Sequence, residues 1–296
     1  MSRKGAEGFE QYYSGIYGDR WPELRASLLE PTRQVARINA FADLSTIESR
    51  AGLRPRADFG GSHALLLEDT QTLKPEADSN GLLDFYFMDA ASIFPPAALG
   101  VQEGEEILDL CAAPGGKSLI LAEKIGESGS LVANEMSDKR RGRLRAVIED
   151  YVPRERRERV RVTGHDGTRW CLHETDAFDR ILIDAPCSGE RHLLVNPEEM
   201  KQWSPARTKN LAVRQYALLA SSLAVVRPGG RIVYSTCSIS PAEDDAVIAR
   251  LLKKREGEAK VLPLAFEIGE PTEHGWAILP DRTGFGPIYL AAIERV

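Results

Sequence analysis

The sequence predicts an α/β fold, a mostly parallel sheet with helices on both faces, preceded by a small N-terminal helical extension. Three observations predict it. From about Leu83 onward, apolar runs of strand length alternate with segments at helical spacing. Gly- or Pro-rich turns close several of those runs. The chain has 296 residues, 43% hydrophobic and 28% charged, enough apolar material for one large domain with an appendage.

In order, FEQYYSGIYGDRWPELRASLLEP within residues 1–30 is aromatic and charged, and WPELRASLL reads as an amphipathic helix with Pro22 in its first turn. A second helical pattern, TRQVARINAFADLSTIESR, runs to about Arg50. Residues 51–82 read as a loop-rich connection with one strand at Ala64 to Leu67. Residues 1–81 are therefore assigned to the extension and 82–296 to the main domain. In the main domain EEILDLC, SLVANE, VRVTG, FDRILIDAP, RIVYSTC and PIYLAAIERV read as strands. GKSLILAEKI, DKRRGRLRAVIEDYV, RQYALLASSLAVVRPGG (closed by its Pro-Gly-Gly) and AEDDAVIARLLKKRE read as helices.

Composition excludes several classes. Asp plus Glu number 44 against 38 Lys plus Arg, a net charge of -6, which argues against coating nucleic acid by bulk charge but leaves room for a local basic patch. No stretch approaches the roughly 18 apolar residues of a membrane helix. MSRKGAEGFE lacks an apolar core behind its charges, so a cytoplasmic protein is expected. Cys111, Cys171, Cys187 and Cys237 form no CxxC pair, and the five histidines form no HxxxH pair. Neither a metal site nor a disulfide framework is expected.

Parallel sheets bind ligands at the carboxyl ends of their strands. Asp109 to Lys117, DLCAAPGGK, stands at one such end, where small residues let the backbone approach a ligand and a helix N-terminus offers free amides. Neither the Walker nor the strict GxGxxG spacing is present. Glu135 ends the next strand and is placed to accept ribose hydroxyls; Asp166 and Gly167 end the third, where a carboxylate could accept an adenine amine; Asp184 ends the fourth. Singly, each is explained by a turn or a helix cap. As a series at four successive strand ends they describe a pocket for an adenosine-containing ligand. Without a phosphate loop, S-adenosylmethionine fits better than ATP or NAD.

Asp184-Ala-Pro-Cys187 and Ser235-Thr-Cys237 place two thiols at neighbouring strand ends beside that pocket. Methylation of carbon 5 of a pyrimidine calls for a thiolate adding to carbon 6, and Asp184 is the candidate carboxyl beside ring nitrogen 3.

DLCAAPGGK, DAPCSGERH, YSTCS and the closing FGPIYL resemble the Sun/NSUN family of RNA cytosine-5 methyltransferases. FYFMDAASIFPPAALG and GDRWPELRASLL look most like its mitochondrial ribosomal-RNA branch. The resemblance covers roughly residues 9–31 and 82–296. It implies a Rossmann-like seven-stranded sheet, Cys237 as nucleophile, and Cys187 assisting breakdown of the covalent adduct. Asp184 and Lys117 complete the candidate catalytic set. Cofactor contacts are implied at Cys111, Ala112, Ala113, Pro114, Gly115, Gly116, Lys117, Glu135, Arg140, Asp166, Gly167 and Asp184. Two departures stand out: SGERH blends two family forms, and EDD replaces the commoner ENE after the second Cys.

Lys139 to Arg161 holds ten Lys or Arg residues against four acids, either a basic stripe for RNA or a solvated helix with internal ion pairs. Phe9, Tyr12, Tyr13 and Trp21 are expected to pack the N-terminal helices onto the main domain rather than to stack on bases. His165 and His192 read as surface residues, Cys111 as packing beside the cofactor and Cys171 as incidental. The expected function is methylation of a cytidine in structured RNA, ribosomal RNA first and transfer RNA as alternative, with a protein partner able to supply RNA affinity. A non-catalytic RNA-binding assembly factor is the competing class. DNA methylation is disfavoured, because that class attacks with the Cys of a PC motif.

Overall fold

The computed structural model describes residues 4–52, 54–67 and 73–296. Parts of the expected 51–82 connection, residues 53 and 68–72, lie outside the described residues, as do residues 1–3.

Helices α1 (Gly5–Tyr17) and α2 (Trp21–Leu29) form as the sequence predicts, with Pro22 in the first turn of α2. Their aromatic residues do not face solvent. Phe9, Tyr13 and Trp21 are buried in a cluster with Leu193, Trp203 and Ile239 of the main domain. The Phe9 and Trp203 rings meet edge to face at 5.2 Å, and Tyr13 stacks on Trp21 at 5.3 Å.

The expected second helix is a correction. Its first half is strand β1 (Gln34–Ile38), and only its second half is helix, α3 (Leu44–Ala51), capped by Asp43 accepting from the Ser45 amide at 2.8 Å. The arginines that mimic a polar helix face are deceptive: Arg37 is 1% exposed and pairs with Glu123 at 2.6 Å. The strand exists because β3 (His63–Leu66) and β4 (Phe85–Asp89) pair antiparallel on its two sides, with β2 (Arg56–Asp58) outside β3. The extension thus carries a four-stranded sheet, β2-β3-β1-β4, as well as helices, and β4 carries that sheet past residue 82.

The main domain follows with α4 (Phe94–Leu99), β5 (Glu106–Asp109), α5 (Gly116–Lys124), β6 (Ser130–Asn134), α6 (Asp138–Tyr151), α7 (Arg154–Arg157), β7 (Val160–Thr163) and β8 (Phe178–Asp184). Then come α8 (Glu190–Val195), α9 (Pro197–Gln202), α10 (Pro205–Val225), β9 (Val226–Thr236), α11 (Asp245–Lys254), β10 (Ala259–Leu262), β11 (Glu270–Pro271), β12 (Trp276–Ile278), α12 (Pro280–Thr283) and β13 (Ile288–Arg295). Strands β7-β6-β5-β8-β9 are mutually parallel, and β13 runs antiparallel beside β9. Alternate strand residues face two apolar layers: Ile107, Leu131, Leu182 and Val233 belong to one, Leu108, Val132, Ile181 and Ile232 to the other.

Among the described residues nine strands form this sheet, where the resemblance implied seven. The short pair β11–β12 adds to the edge of β13, where β10 also pairs; segments of two and three residues carry no readable alternation. The Pro-Gly-Gly expected to close α10 lies inside β9 instead. Pairing there steps from Phe178↔Val226 to Arg180↔Arg231, so residues 228–230 bulge from the ladder.

Truncating Phe9 to Ala opens a cavity between α1 and the main domain. The expected cost is about 3–5 kcal/mol of unfolding free energy, read from urea transitions. A loss within error would show that the aromatic cluster is not a structural joint.

Candidate active site

The segment after β5 is tightly wound against its neighbours. Leu110 donates to the Leu182 carbonyl at 2.9 Å and Ala112 to the Asn134 carbonyl at 2.8 Å. The Ala113–Pro114 peptide is cis, and Gly115, at φ +126°, starts α5 in a conformation only glycine adopts freely. A Cβ on Gly116 would sit 2.6 Å from the Tyr86 ring, so the absence of a side chain there is a packing requirement.

Two cavities of about 200 and 220 Å³ open on either side of this segment and share Cys111 as a wall. The first is lined by Tyr86, Asp109, Cys111 to Pro114, Gly116, Lys117 and Asp184. The second is lined by Glu135, Arg140, His165, Gly167, Pro186, Arg214 and Leu218 among others. Burial pushes the Cys111 thiol well up, so it is a wall and not a nucleophile. Cys171 is half-buried against the second apolar layer.

Glu135 is buried, its carboxylate accepting from the Ser137 amide at 2.8 Å and pairing with Arg140 at 3.2 Å. Arg140 also donates to the Ala113 carbonyl at 2.5 Å, tying the β6 end to the Gly-rich segment. Asn134, which the sequence reading passed over, is fully buried and joins three strand ends: its amide donates to Leu110 and His165 carbonyls at 3.0 Å, and its oxygen accepts from Thr163 and the His165 amide. An Asn one residue before the acid of a strand end was its only sequence signal. Asp166 caps the short helical turn at Gly167–Leu172, accepting from the Thr168 amide and hydroxyl, and lies outside the wall of either cavity. His165 is a cavity wall, whereas His192 is exposed and meets Glu199 at 3.0 Å.

At the ends of β8 and β9, Asp184 accepts from the Lys117 ammonium at 2.7 Å and the Ser235 hydroxyl at 2.9 Å. Burial alone would lower the Lys117 pKa, but the Asp184 charge and hydrogen bond prevail and raise it. The thiols of Cys187 and Cys237 touch, sulfur to sulfur at 2.7 Å, with Cys237 exposed and Cys187 half-buried. The hydrogen bond to Cys237, reinforced by burial, pushes the Cys187 thiol well up. Behind them, Ser188, Glu190, Ser238 and Glu243 form a buried polar cluster that the sequence reading did not single out.

The expected basic stripe is divided. Arg141 is spent on local structure, donating to the Glu135 and Met136 carbonyls and pairing with Asp138. Lys139, Arg143 and Arg145 are exposed on α6. Among the described residues no group of three His, Cys, Asp or Glu could hold a metal, and no helix is long and apolar enough to cross a membrane.

The family model described as 16S rRNA methyltransferase RsmB/F matches residues 96–294. The chain belongs to this RsmB/F methyltransferase family. Over all of its length it is 34% identical to the 5-cytosine rRNA methyltransferase NSUN4 of Mus musculus, covering 89% of that protein. A Danio rerio relative, the mitochondrial tRNA (cytosine(34)-C(5))-methyltransferase, is 32% identical over 97% of this chain and 86% of its own. A solved methyltransferase homologue from Pyrococcus horikoshii superposes with a TM-score of 0.76 at 25% identity, over 97% of this chain and 94% of that one. The RsmB/F chain is thus an S-adenosylmethionine-dependent enzyme of the RNA cytosine-5 methyltransferase class. Its residues fit that cofactor: the wall from Cys111 to Lys117 carries small residues, Ala112, Ala113 and Gly116 among them, the Glu135 carboxylate lines one cavity, and Asp109 Oδ1, lining the other, finds no partner among the described residues.

Asp109 is wholly buried, with Ser118 donating at 2.6 Å, and burial pushes its carboxyl up to about 7. The folded state therefore holds this proton more tightly than the unfolded chain, and stability falls as pH rises from the ordinary carboxylate range through about 7. Urea unfolding across that window should show a decline to which Asp109 contributes about 4 kcal/mol. Asp109→Asn should flatten this part of the slope, and an unchanged slope would place the linkage elsewhere.

Proposed function

We propose that this enzyme methylates carbon 5 of a cytidine in ribosomal RNA through a covalent adduct on Cys237. The observation that carries the reading is the pair of thiols in contact at adjacent strand ends, beside the Lys117–Asp184 pair. Residues 82–296 supply this machinery and residues 1–81 brace it.

The exposed Cys237 sulfur attacks carbon 6 of the ring, forming the S–C6 bond and moving the double-bond electrons toward ring nitrogen 3. Cys187, whose thiol is pushed well up and so holds its proton, lies in contact with the attacking sulfur and is placed to hydrogen-bond it. A proton held between Lys117 and Asp184 passes to nitrogen 3, which leaves carbon 5 nucleophilic. S-adenosylmethionine, when bound, supplies the electrophilic methyl group. After transfer, water entering the cleft takes the carbon 5 proton, and the C–H electrons form the C5=C6 bond as the S–C6 bond breaks. Nitrogen 3 returns its proton to the Lys117–Asp184 pair, and Cys187 hydrogen-bonds the departing Cys237 sulfur. The target base has to leave its stack to reach the two sulfurs.

For the cofactor, Glu135 accepts the ribose hydroxyls and is held in place by Arg140. Cys111 to Lys117 line the amino-acid end with backbone, where the unpartnered Asp109 oxygen suits an ammonium. Gly167 admits the adenine, and Asp166, just beyond that cavity wall, is the candidate acceptor for the exocyclic amine. RNA is held by the exposed face of α6, with a protein partner adding affinity that a net charge of -6 does not supply in bulk.

Ribosomal RNA is preferred because the family description and the mouse relative both name it; the zebrafish relative keeps transfer RNA as the second reading. Bisulfite sequencing of total RNA with and without the gene decides between them: a lost signal in ribosomal RNA supports the first, and one confined to transfer RNA the second.

The two thiols are separable. Cys237→Ala should be inactive with no trapped complex. Cys187→Ala should transfer the methyl group and then stall as a protein–RNA species that survives denaturing gels. Trapping by the Cys237 variant alone would exchange the two roles, and normal turnover by both would remove the covalent mechanism.

A further inference from the structure

The loops that carry the two thiols are joined by a buried hydrogen-bond cluster whose hydrogens do not balance unless one carboxyl is protonated. The Ser188 hydroxyl has one hydrogen. Its oxygen is nonetheless in hydrogen-bond contact with Glu190 Oε1 and, at 2.5 Å, with Glu243 Oε1. Glu190 is fully supplied with donors: the Tyr13 hydroxyl at 2.6 Å, the Ser238 hydroxyl at 3.1 Å, and the Ile239 amide at 3.2 Å on its other oxygen. Glu243 Oε2 accepts from the Ser188 amide at 3.0 Å and the Gln215 amide at 2.9 Å. Its Oε1 meets only the Ser188 hydroxyl among the described residues. Because Glu190 already draws on three other donors, the extra proton falls on Glu243 Oε1 and is donated to Ser188, whose own hydrogen goes to Glu190, beside the Ser238 hydroxyl 3.2 Å away.

We propose that protonated Glu243 and ionised Glu190 are positioning residues that lock the Cys187 loop to the Cys237 loop and so hold the two sulfurs in contact. Each carboxyl spans both loops. Glu190 grips Ser188 after the first Cys and Ser238 and Ile239 after the second, while Glu243, which follows the second loop in sequence, grips the amide and hydroxyl of Ser188. Gln215 of α10 ties Glu243 to the Pro186 carbonyl, and Tyr13 of α1 closes the cluster from the extension. Burial first, and then the Glu190 charge, push the Glu243 carboxyl up to about 7, in the direction the hydrogen count requires. The other titratable groups facing it are Tyr13 of α1, Tyr234 of β9, the adjacent Asp244, and Cys187; none is a cation. As pH rises through that value Glu243 loses its proton, two carboxylates compete for one hydroxyl hydrogen, and the loops are driven apart.

The inference rests on the two-thiol reading, and its test separates the two. Full-length Glu243→Ala should lower kcat by about tenfold, the loss of one hydrogen bond to a charged cluster, with KM for RNA and cofactor affinity little changed. It should also accumulate the gel-stable RNA adduct, because Cys187 is no longer held against the sulfur it must release. Glu243→Gln keeps one donor toward Ser188 and acceptors toward Ser188 N–H and Gln215, so it should restore most of the rate. Over about pH 6 to 9 the parent enzyme should show a falling alkaline limb that the Gln variant lacks. An Ala variant with parental kcat, or a Gln variant with the same alkaline limb, overturns the lock while leaving the thiol roles intact. If Cys237→Ala is active in the same assay, the thiol reading itself has failed.

Discussion

Everything chemical in this molecule depends on the register of five parallel strands. Asp109 lies opposite Ala133 and Leu182, Ala133 opposite Val162, and Asp184 opposite Ser235. With the strands ending at one level, the loops after β5, β6, β7, β8 and β9 emerge along one edge. Cys187 and Cys237 follow the paired Asp184 and Ser235 by three and two residues, which is how sulfurs fifty positions apart come into contact. A slip of one residue would carry one sulfur about 3.3 Å along the strand and turn its neighbours to the opposite face. The apolar layers on both sides prevent that slip, since Ile181 and Ile183 face one and Leu182 the other. Core packing and catalytic geometry are the same constraint seen from two sides.

The strand-end residues were legible in the sequence because their signal is local. An apolar run followed by small residues, or by a single acid, reports both the element and its mouth. That logic placed Asp109 to Lys117, Glu135, Asp184, Cys187 and Cys237 around one edge before any coordinates. It failed where tertiary pairing overrides local pattern. Residues 34–38 read as helix because Arg33 and Arg37 fit a polar helical face, yet Arg37 is buried on Glu123, 86 residues away, and two strands claim the backbone. The polar cluster behind the thiols was illegible for a different reason. Ser188, Glu190, Ser238 and Glu243 look like ordinary surface residues, and only their shared burial makes them a unit. Asn134 belongs to the same class.

The extension is less separate than its position in the chain suggests. Tyr12 meets Ser240 at 3.2 Å and Tyr17 donates to the Ile239 carbonyl at 2.6 Å, so two tyrosines of α1 bind the loop beyond Cys237, while Tyr13 reaches Glu190 beyond Cys187. Trp21 and Phe9 supply the apolar side of the same contact. Helix α1 therefore acts as a brace behind the second thiol loop, and its aromatic residues serve the chemistry through packing.

Tyr86 gives β4 a second allegiance. It pairs with Arg37 in the small sheet of the extension, and its ring forms a wall of the cavity beside Gly116. A ligand filling that cavity packs against Tyr86 where β4 holds it, so its binding favours the folded small sheet β2-β3-β1-β4 that positions β4. By reciprocity, any change that loosens that sheet weakens the ligand by the same factor by which the ligand tightens the sheet. Hydrogen exchange at β1 and β3 therefore becomes a gauge of occupancy of that cavity, read from strands that do not line it.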